Sequence, residues 1–288
     1  MTNIFADRYW TSADGLELHY RDYGSEAADG RPPVLCLHGL TRNARDFADL
    51  AEHLAPEWRV IVPEMRGRGQ SAYADLSHSY GPATYVEDVT ALLDELGIDR
   101  FVSIGTSLGG LMTMMMAAEN AGRIAGAVLN DIGPELEEAG LARIREYVGQ
   151  GRTYATWMHA ARALEEAHGS AFPNHSTHEW LDMAKRIMVL GQNGRISYDY
   201  DMAIAEPFAA DEGAAPPDLW PAYEALAGRP LLILRGALSD LFADRTLARM
   251  VERNPDAEAV VVPDVGHAPQ LDEPVARAAI DRLLARIS

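Results

Sequence analysis

Short continuous apolar runs alternate along this chain with stretches whose apolar residues recur every third or fourth position. The runs at 33–37, 59–62, 101–104, 124–129, 230–234 and 259–262 read as strands buried on both faces. The periodic stretches between them read as amphipathic helices. At 44–54, Phe47, Leu50, Ala51 and Leu54 share one face, with Thr41 or Asn43 available as the N-cap. A second helix opens at Pro82 and stops at Gly97, and others are expected after Ser107, at about 244–253 and at about 273–287. Near the start, Leu16, Leu18 and Tyr20 alternate with Glu17, His19 and Arg21. Segments 9–12 and 16–23 therefore read as a hairpin turned at Ala13-Asp14-Gly15.

The rhythm changes once. From about 134 to 226 helical patterns dominate, at 135–148, 153–168, 177–190 and 220–227, and no strand pattern appears. Turns are expected at 149–151, 191–194 and 214–217. Strands alternating with helices imply an α/β fold, a mostly parallel sheet covered on both faces. The domain division expected is a core of 1–133 and 227–288 with 134–226 inserted as a helical cap. In such sheets chemistry gathers in the loops beyond the C-terminal strand ends. Here those loops carry His38-Gly39-Leu40, Glu64, Ser107, Asp131, Asp240 and His267.

Composition narrows the function classes. With 48% hydrophobic residues the chain has ample material for a large core. The net charge of −18, with no basic block, argues against nucleic acid and anionic membrane as partners. Cys36 is the only cysteine, in an apolar run, and reads as a small buried hydrophobe. Without an intramolecular disulfide, signal peptide or membrane span, a cytoplasmic location is expected. The expected partner is a small-molecule substrate, the chain being a monomer or homodimer. His19, His53, His159, His168, His175 and His178 show no metal-ligand spacing. Neither a metal nor a cofactor is called for.

The candidate chemistry centres on Gly105-Thr106-Ser107-Leu108-Gly109-Gly110, between a strand and a helix. A serine at the apex of such a turn is strained into presenting its hydroxyl, and glycine two positions either side lets strand and helix approach closely. By itself this pattern is common. A serine hydroxyl also needs a neutral imidazole to take its proton and a carboxylate to orient that imidazole. His267 follows the last buried strand. Asp240 follows the strand at 231–234 and is the acid favoured by the order Ser, acid, His. Asp131, ending the strand after the elbow, is the rival acid; Asp264 reads as a turn residue. The oxyanion donors expected are the backbone N–H groups of Leu108, at the helix start, and Leu40, in the loop after 33–37. His38 reads as structural, bonding loop backbone.

Taken together, His38-Gly39-Leu40, the segment Pro63-Glu64-Met65-Arg66-Gly67-Arg68-Gly69-Gln70-Ser71, the elbow and Val265-Gly266-His267-Ala268-Pro269 resemble the α/β-hydrolase superfamily over essentially the full chain. The resemblance implies an eight-stranded sheet, a triad of Ser107, Asp240 and His267, an oxyanion pair of Leu40 and Leu108, and a cap over the site. Glu64 departs from the aspartate of many relatives, with no loss of mechanism expected.

Serine rather than aspartate at position 107 points to an acyl-enzyme and hydrolysis of a small or medium carboxylic ester or lactone. Carbon–carbon bond hydrolysis of vinylogous diketones is the nearest enzymatic alternative, and a slow-turnover small-molecule receptor is the non-enzymatic one. Trp157, Met158, Phe172, Trp180, Met183, Met188, Met202 and Phe208 are available to line an apolar pocket, although packing of the cap helices accounts for most. Arg66 and Arg68 are open to surface or anion-binding roles. Tyr198-Asp199-Tyr200-Asp201 has no role assignable from sequence.

Overall fold

The computed structural model describes residues 4–24, 30–210 and 217–287. The expected hairpin is β1 (Phe5–Thr11) and β2 (Glu17–Tyr23). Then follow β3 (Val34–Leu37), helix α1 (Ala48–Leu54) after a short 3-10 turn, β4 (Val60–Pro63), α2 (Pro82–Glu95), β5 (Phe101–Thr106), α3 (Leu108–Asn120) and β6 (Ile124–Asn130). The chain leaves the sheet for α4 (Glu138–Tyr147), β7 (Thr153–Tyr154), α5 (Trp157–His168), α6 (Thr177–Ile187), β8 (Met188–Leu190), β9 (Ile196–Tyr198), α7 (Ala205–Ala210) and α8 (Trp220–Glu224). It returns through β10 (Leu231–Gly236), α9 (Asp244–Arg253), β11 (Glu258–Val262) and α10 (Pro274–Leu284).

Eight strands form one sheet in the order β1-β2-β4-β3-β5-β6-β10-β11. The pairs from β4 to β11 are parallel; only β1–β2 and β2–β4 run antiparallel. The two-residue strand period divides the core. Val34 and Cys36, with Val102 and Ile104, pack toward α1 and α10, while Leu35 and Leu37 pack toward α2 and α3. Both faces are thus buried, which is why these strands read as unbroken apolar runs. Cys36 lies within this core, and burial pushes its thiol pKa well up.

The insertion is not all helical. β7, β9 and β8 form a small antiparallel sheet. The helix expected at 177–190 starts in a capping box of Ser176 and Glu179 but stops at Ile187. Beyond it β8 and β9 make a hairpin whose turn contains Asn193-Gly194, with Gly194 at φ +71. Strand propensity there hides inside three-residue pieces too short for a period to show. Likewise residues 153–154 are strand, and α5 begins only after the N-cap Thr156. Helix α8, counted with the cap from sequence, packs on α3, and Tyr223 donates from its hydroxyl to the Met250 carbonyl of α9. The Phe208 side chain and the turn at 214–216 lie outside the described residues.

Candidate active site

The elbow follows from packing. A Cβ on Gly105 would come 2.3 Å from the Gly109 carbonyl oxygen, and one on Gly109 would come 2.0 Å from that of Leu37. Only glycine lets β5, α3 and β3 approach so closely. Ser107 sits between them at φ 52, ψ −114, a conformation uncommon for a residue with a side chain. Its N–H donates to the Asn130 carbonyl, which ties the apex to the end of β6.

Ser107 Oγ lies 2.9 Å from His267 Nε2, and His267 Nδ1 lies 2.7 Å from Asp131 Oδ2. A carboxylate accepts only, so Nδ1 carries the proton and Nε2 is free to accept from the serine hydroxyl. Asp131 is fully buried at the end of β6, the strand beside the one that leads to Ser107. It also accepts from the Gly236 N–H at 2.8 Å and the Ser239 hydroxyl at 2.6 Å. These bonds fix the carboxylate before it meets the imidazole.

Asp240, expected as the orienting acid, stands elsewhere. Its two oxygens take a bidentate pair from Arg143 of α4, at 2.5 and 2.8 Å. That guanidinium holds the Asp240 carboxyl below the usual carboxylate range. The reason is a one-residue offset. Ser239 turns its side chain inward to Asp131, so its neighbour Asp240 reaches the cap helix instead, with 37% of its side chain exposed.

The two N–H groups expected as oxyanion donors are arranged as peptide planarity requires. The Gly39 carbonyl accepts from His38 Nδ1 at 2.8 Å and from the Arg42 N–H at 3.1 Å. In a trans peptide the N–H points opposite to its carbonyl, so anchoring the Gly39 carbonyl aims the Leu40 N–H the other way. The N–H groups of Leu40 and Leu108 have no partner among the described residues. His38 Nε2 in turn accepts from the Met65 N–H. Burial lowers the His38 pKa to about 4, which keeps it the neutral brace anticipated from sequence. Arg68 donates to the Leu40 carbonyl at 2.9 Å.

Arg66 and Arg68 are buried, not surface groups. Arg66 makes bidentate pairs with both Asp88 and Asp14. Glu64 accepts from His19 and from the N–H groups of Ala44 and Gln70, bracing the same loops. Tyr198-Asp199-Tyr200-Asp201 fastens the insertion to the core: Asp199 pairs with Arg45, Asp201 accepts from Tyr80, and Arg68 bridges to Tyr200.

A pocket opens on Ser107 and His267, between the loop after β3 and helices α4, α5 and α6. Phe172 and Met183 line it, as does Tyr198. Trp180 and Met188 are instead buried in the cap core, Trp157 and Met202 pack beside the two cores, and Met158 is exposed. His168, passed over in sequence, also lines the pocket; burial and then the charges of Arg42 and Arg143 lower its pKa to about 4. His175 packs against the rings of Phe172 and Trp180 and bonds Gln270. Arg42, Arg143 and Arg186 line the pocket too, contributed by three elements far apart in sequence. No periodicity marks such residues.

A family model of the α/β hydrolase fold matches residues 32–274. The chain belongs to the α/β-hydrolase fold family. Within it, a 3-hydroxybutyrate-oligomer hydrolase of Cupriavidus necator is 36% identical, over 89% of each chain. A 2-(acetamidomethylene)succinate hydrolase of Mesorhizobium japonicum is 26% identical, over 88% of this chain and 85% of that one. The crystal structure of an α/β hydrolase from Novosphingobium aromaticivorans superposes with a TM-score of 0.95 at 59% identity, covering 100% of both chains. As in the sequence reading, the protein is an α/β hydrolase with an eight-stranded, mostly parallel sheet. No helix among the described residues is long and apolar enough to cross a membrane.

Proposed function

We propose that this α/β hydrolase is a serine ester hydrolase acting on a small or medium carboxylic ester. Ser107 is the nucleophile, His267 the base, Asp131 the acid that orients it, and the N–H groups of Leu40 and Leu108 the oxyanion donors. The observation that carries this reading is the continuous relay from Ser107 Oγ through His267 to Asp131, with contacts of 2.9 and 2.7 Å. The name of the Cupriavidus relative, an oligomer hydrolase, supports the same class.

In the first half-reaction Ser107 Oγ bonds to the ester carbonyl carbon while its proton passes to His267 Nε2. The buried Asp131 carboxylate stabilises the imidazolium, and the carbonyl electron pair moves onto the oxygen held by the two N–H groups. Collapse breaks the bond to the alcohol oxygen, which takes the proton from Nε2 and leaves. Water repeats the sequence on the acyl-enzyme and releases the acid. At each attack Nε2 must be neutral to take the proton. A fluorophosphonate probe tests the reading. It is expected to label the native protein and not Ser107→Ala; equal labelling of both, or none of the native protein, overturns it.

A further inference from the structure

The chain carries a net charge of −18, yet its pocket is lined by Arg42, Arg143 and Arg186 with Asp46 as the one acidic lining residue. The three cations differ in how they are spent. Arg143 is committed to Asp240 through a bidentate pair. Arg42 makes a single ion pair with Asp46, at 3.0 Å. The half-buried Arg186 guanidinium has no hydrogen-bond or ion-pair partner among the described residues. Its backbone, by contrast, is pinned: the Arg186 carbonyl accepts from Asn43 Nδ2 at 3.1 Å and from Arg45 Nε at 2.8 Å. Those two donors sit on the loop that also carries Arg42. The structure therefore carries a full positive charge, on a pinned stretch of backbone, into the pocket that also holds Ser107, and leaves its donor fork unused.

The other polar lining groups complement an anion. Tyr147 and Tyr198 line the pocket, and their hydroxyls have no hydrogen-bond partner among the described residues. Asp131, fully buried, already has its imidazole and two further donors. The remaining lining is largely apolar, with Leu40, Phe47, Ile144, Phe172, Met183 and Ile187. An apolar wall around cations focuses their field on whatever anion enters. A guanidinium fork matches the two oxygens of a carboxylate better than any other side chain does.

Resting on the ester-hydrolase reading, we infer that the ester cleaved here carries a free carboxylate, received by Arg186 with Arg42 beside it. The charge orients one end of the substrate while the ester carbonyl lies at Ser107. Half-esters of dicarboxylic acids and acyl esters of short hydroxy acids both have this form. Neutral esters of the same length lack the anchoring group.

The test uses two matched pairs on the whole protein. One places the carboxylate on the acyl side, p-nitrophenyl hydrogen glutarate against p-nitrophenyl valerate. The other places it on the alcohol side, 3-acetoxybutyrate against 3-acetoxybutyramide. In at least one pair, kcat/KM for the acid is expected to exceed that for the neutral partner by about tenfold or more. That ratio is expected to fall about tenfold in Arg186→Gln and to recover in part in Arg186→Lys, which keeps the charge. A second readout needs no variant: glutarate should inhibit p-nitrophenyl acetate turnover by the native protein more strongly than glutaramide, with the difference shrinking in high salt. Ser107 labelling without a carboxylate preference in either pair, or an unchanged ratio in Arg186→Gln, overturns this inference alone. Absence of labelling overturns the ester-hydrolase reading itself.

Discussion

His267 Nδ1 and Asp131 Oδ2 lie 2.7 Å apart, with the carboxylate wholly out of solvent at the end of the strand beside the one that leads to Ser107. A buried charge is costly unless it is paired and bonded. The Asp131 carboxylate meets that cost with three donors, the Gly236 N–H, the Ser239 hydroxyl and His267 Nδ1, while its own backbone N–H is tied to the Leu234 carbonyl. The imidazole is therefore held by a group that is itself immobile, and Ser107 inherits that order.

Replacing the two candidate acids separates their roles. Asp131→Asn should lower kcat on a neutral p-nitrophenyl ester by roughly a thousandfold or more, because the amide no longer selects the tautomer with Nδ1 protonated. Asp240→Asn, which only loosens the link to Arg143, should cost less than about tenfold. The opposite ranking in steady-state kinetics would return the role to Asp240.

A glycine of the elbow should be intolerant where a loop glycine of the insertion is not. Gly109→Ala places a methyl 2.0 Å from the Leu37 carbonyl oxygen, a contact that backbone must yield to. It is expected to cost about 3 kcal/mol or more, seen as a lowered thermal midpoint or loss of folded protein. Gly151→Ala meets nothing within 4 Å and has no positive φ. Its effect should stay within about 1 kcal/mol, of either sign.

Acid should weaken the fold through His38. Its folded pKa is down at about 4 from an ordinary 6.5, because the enclosed ring is favoured neutral. Between those values the unfolded chain binds a proton that the folded chain does not. The stabilisation is thus complete above about pH 6.5 and is lost as pH falls toward 4, an effect of about 3 kcal/mol at most. His168, also lowered to about 4, acts in the same sense. Urea midpoints at pH 7 and 4.5 should differ less in His38→Gln than in the native protein. An equal difference in the two would remove His38 from this account.

The buried guanidinium of Arg66 predicts a further asymmetry. Arg66→Met strands Asp88, whose side chain is 3% exposed, without its partner, and should cost about 3 kcal/mol or more. Asp14→Asn acts at the 53% exposed end of the same network and should cost under about 1 kcal/mol. Chemical denaturation of the two variants gives the comparison directly.

Local pattern carried much of the fold. The apolar runs became strands within a residue or two, and the 244–253 helix matches α9. Glycine spacing around Ser107 was readable because it reports a contact between neighbouring elements. The insertion was less legible. Strands of two and three residues are too short for a period, so β7, β8 and β9 merged into the helical patterns beside them. Arg66 and Arg68 misread because charge alone says solvent, whereas their partners, Asp14 and Asp88 for Arg66 and the Leu40 carbonyl and Tyr85 hydroxyl for Arg68, lie elsewhere in the chain.

The sequence by itself determined the order of strands and helices outside the insertion, the serine at the elbow and the histidine after the last strand. Each depends on residues adjacent in the chain, or on a chain order that the fold class imposes. Only the tertiary structure decided which carboxylate meets His267 and which cations face the pocket. Asp131 and Asp240 both follow strand ends, β6 and β10, which lie side by side. The direction of one side chain, Ser239, separates them. Arg42, Arg143 and Arg186 converge from one loop and two helices, and their convergence exists only once the insertion closes over the sheet.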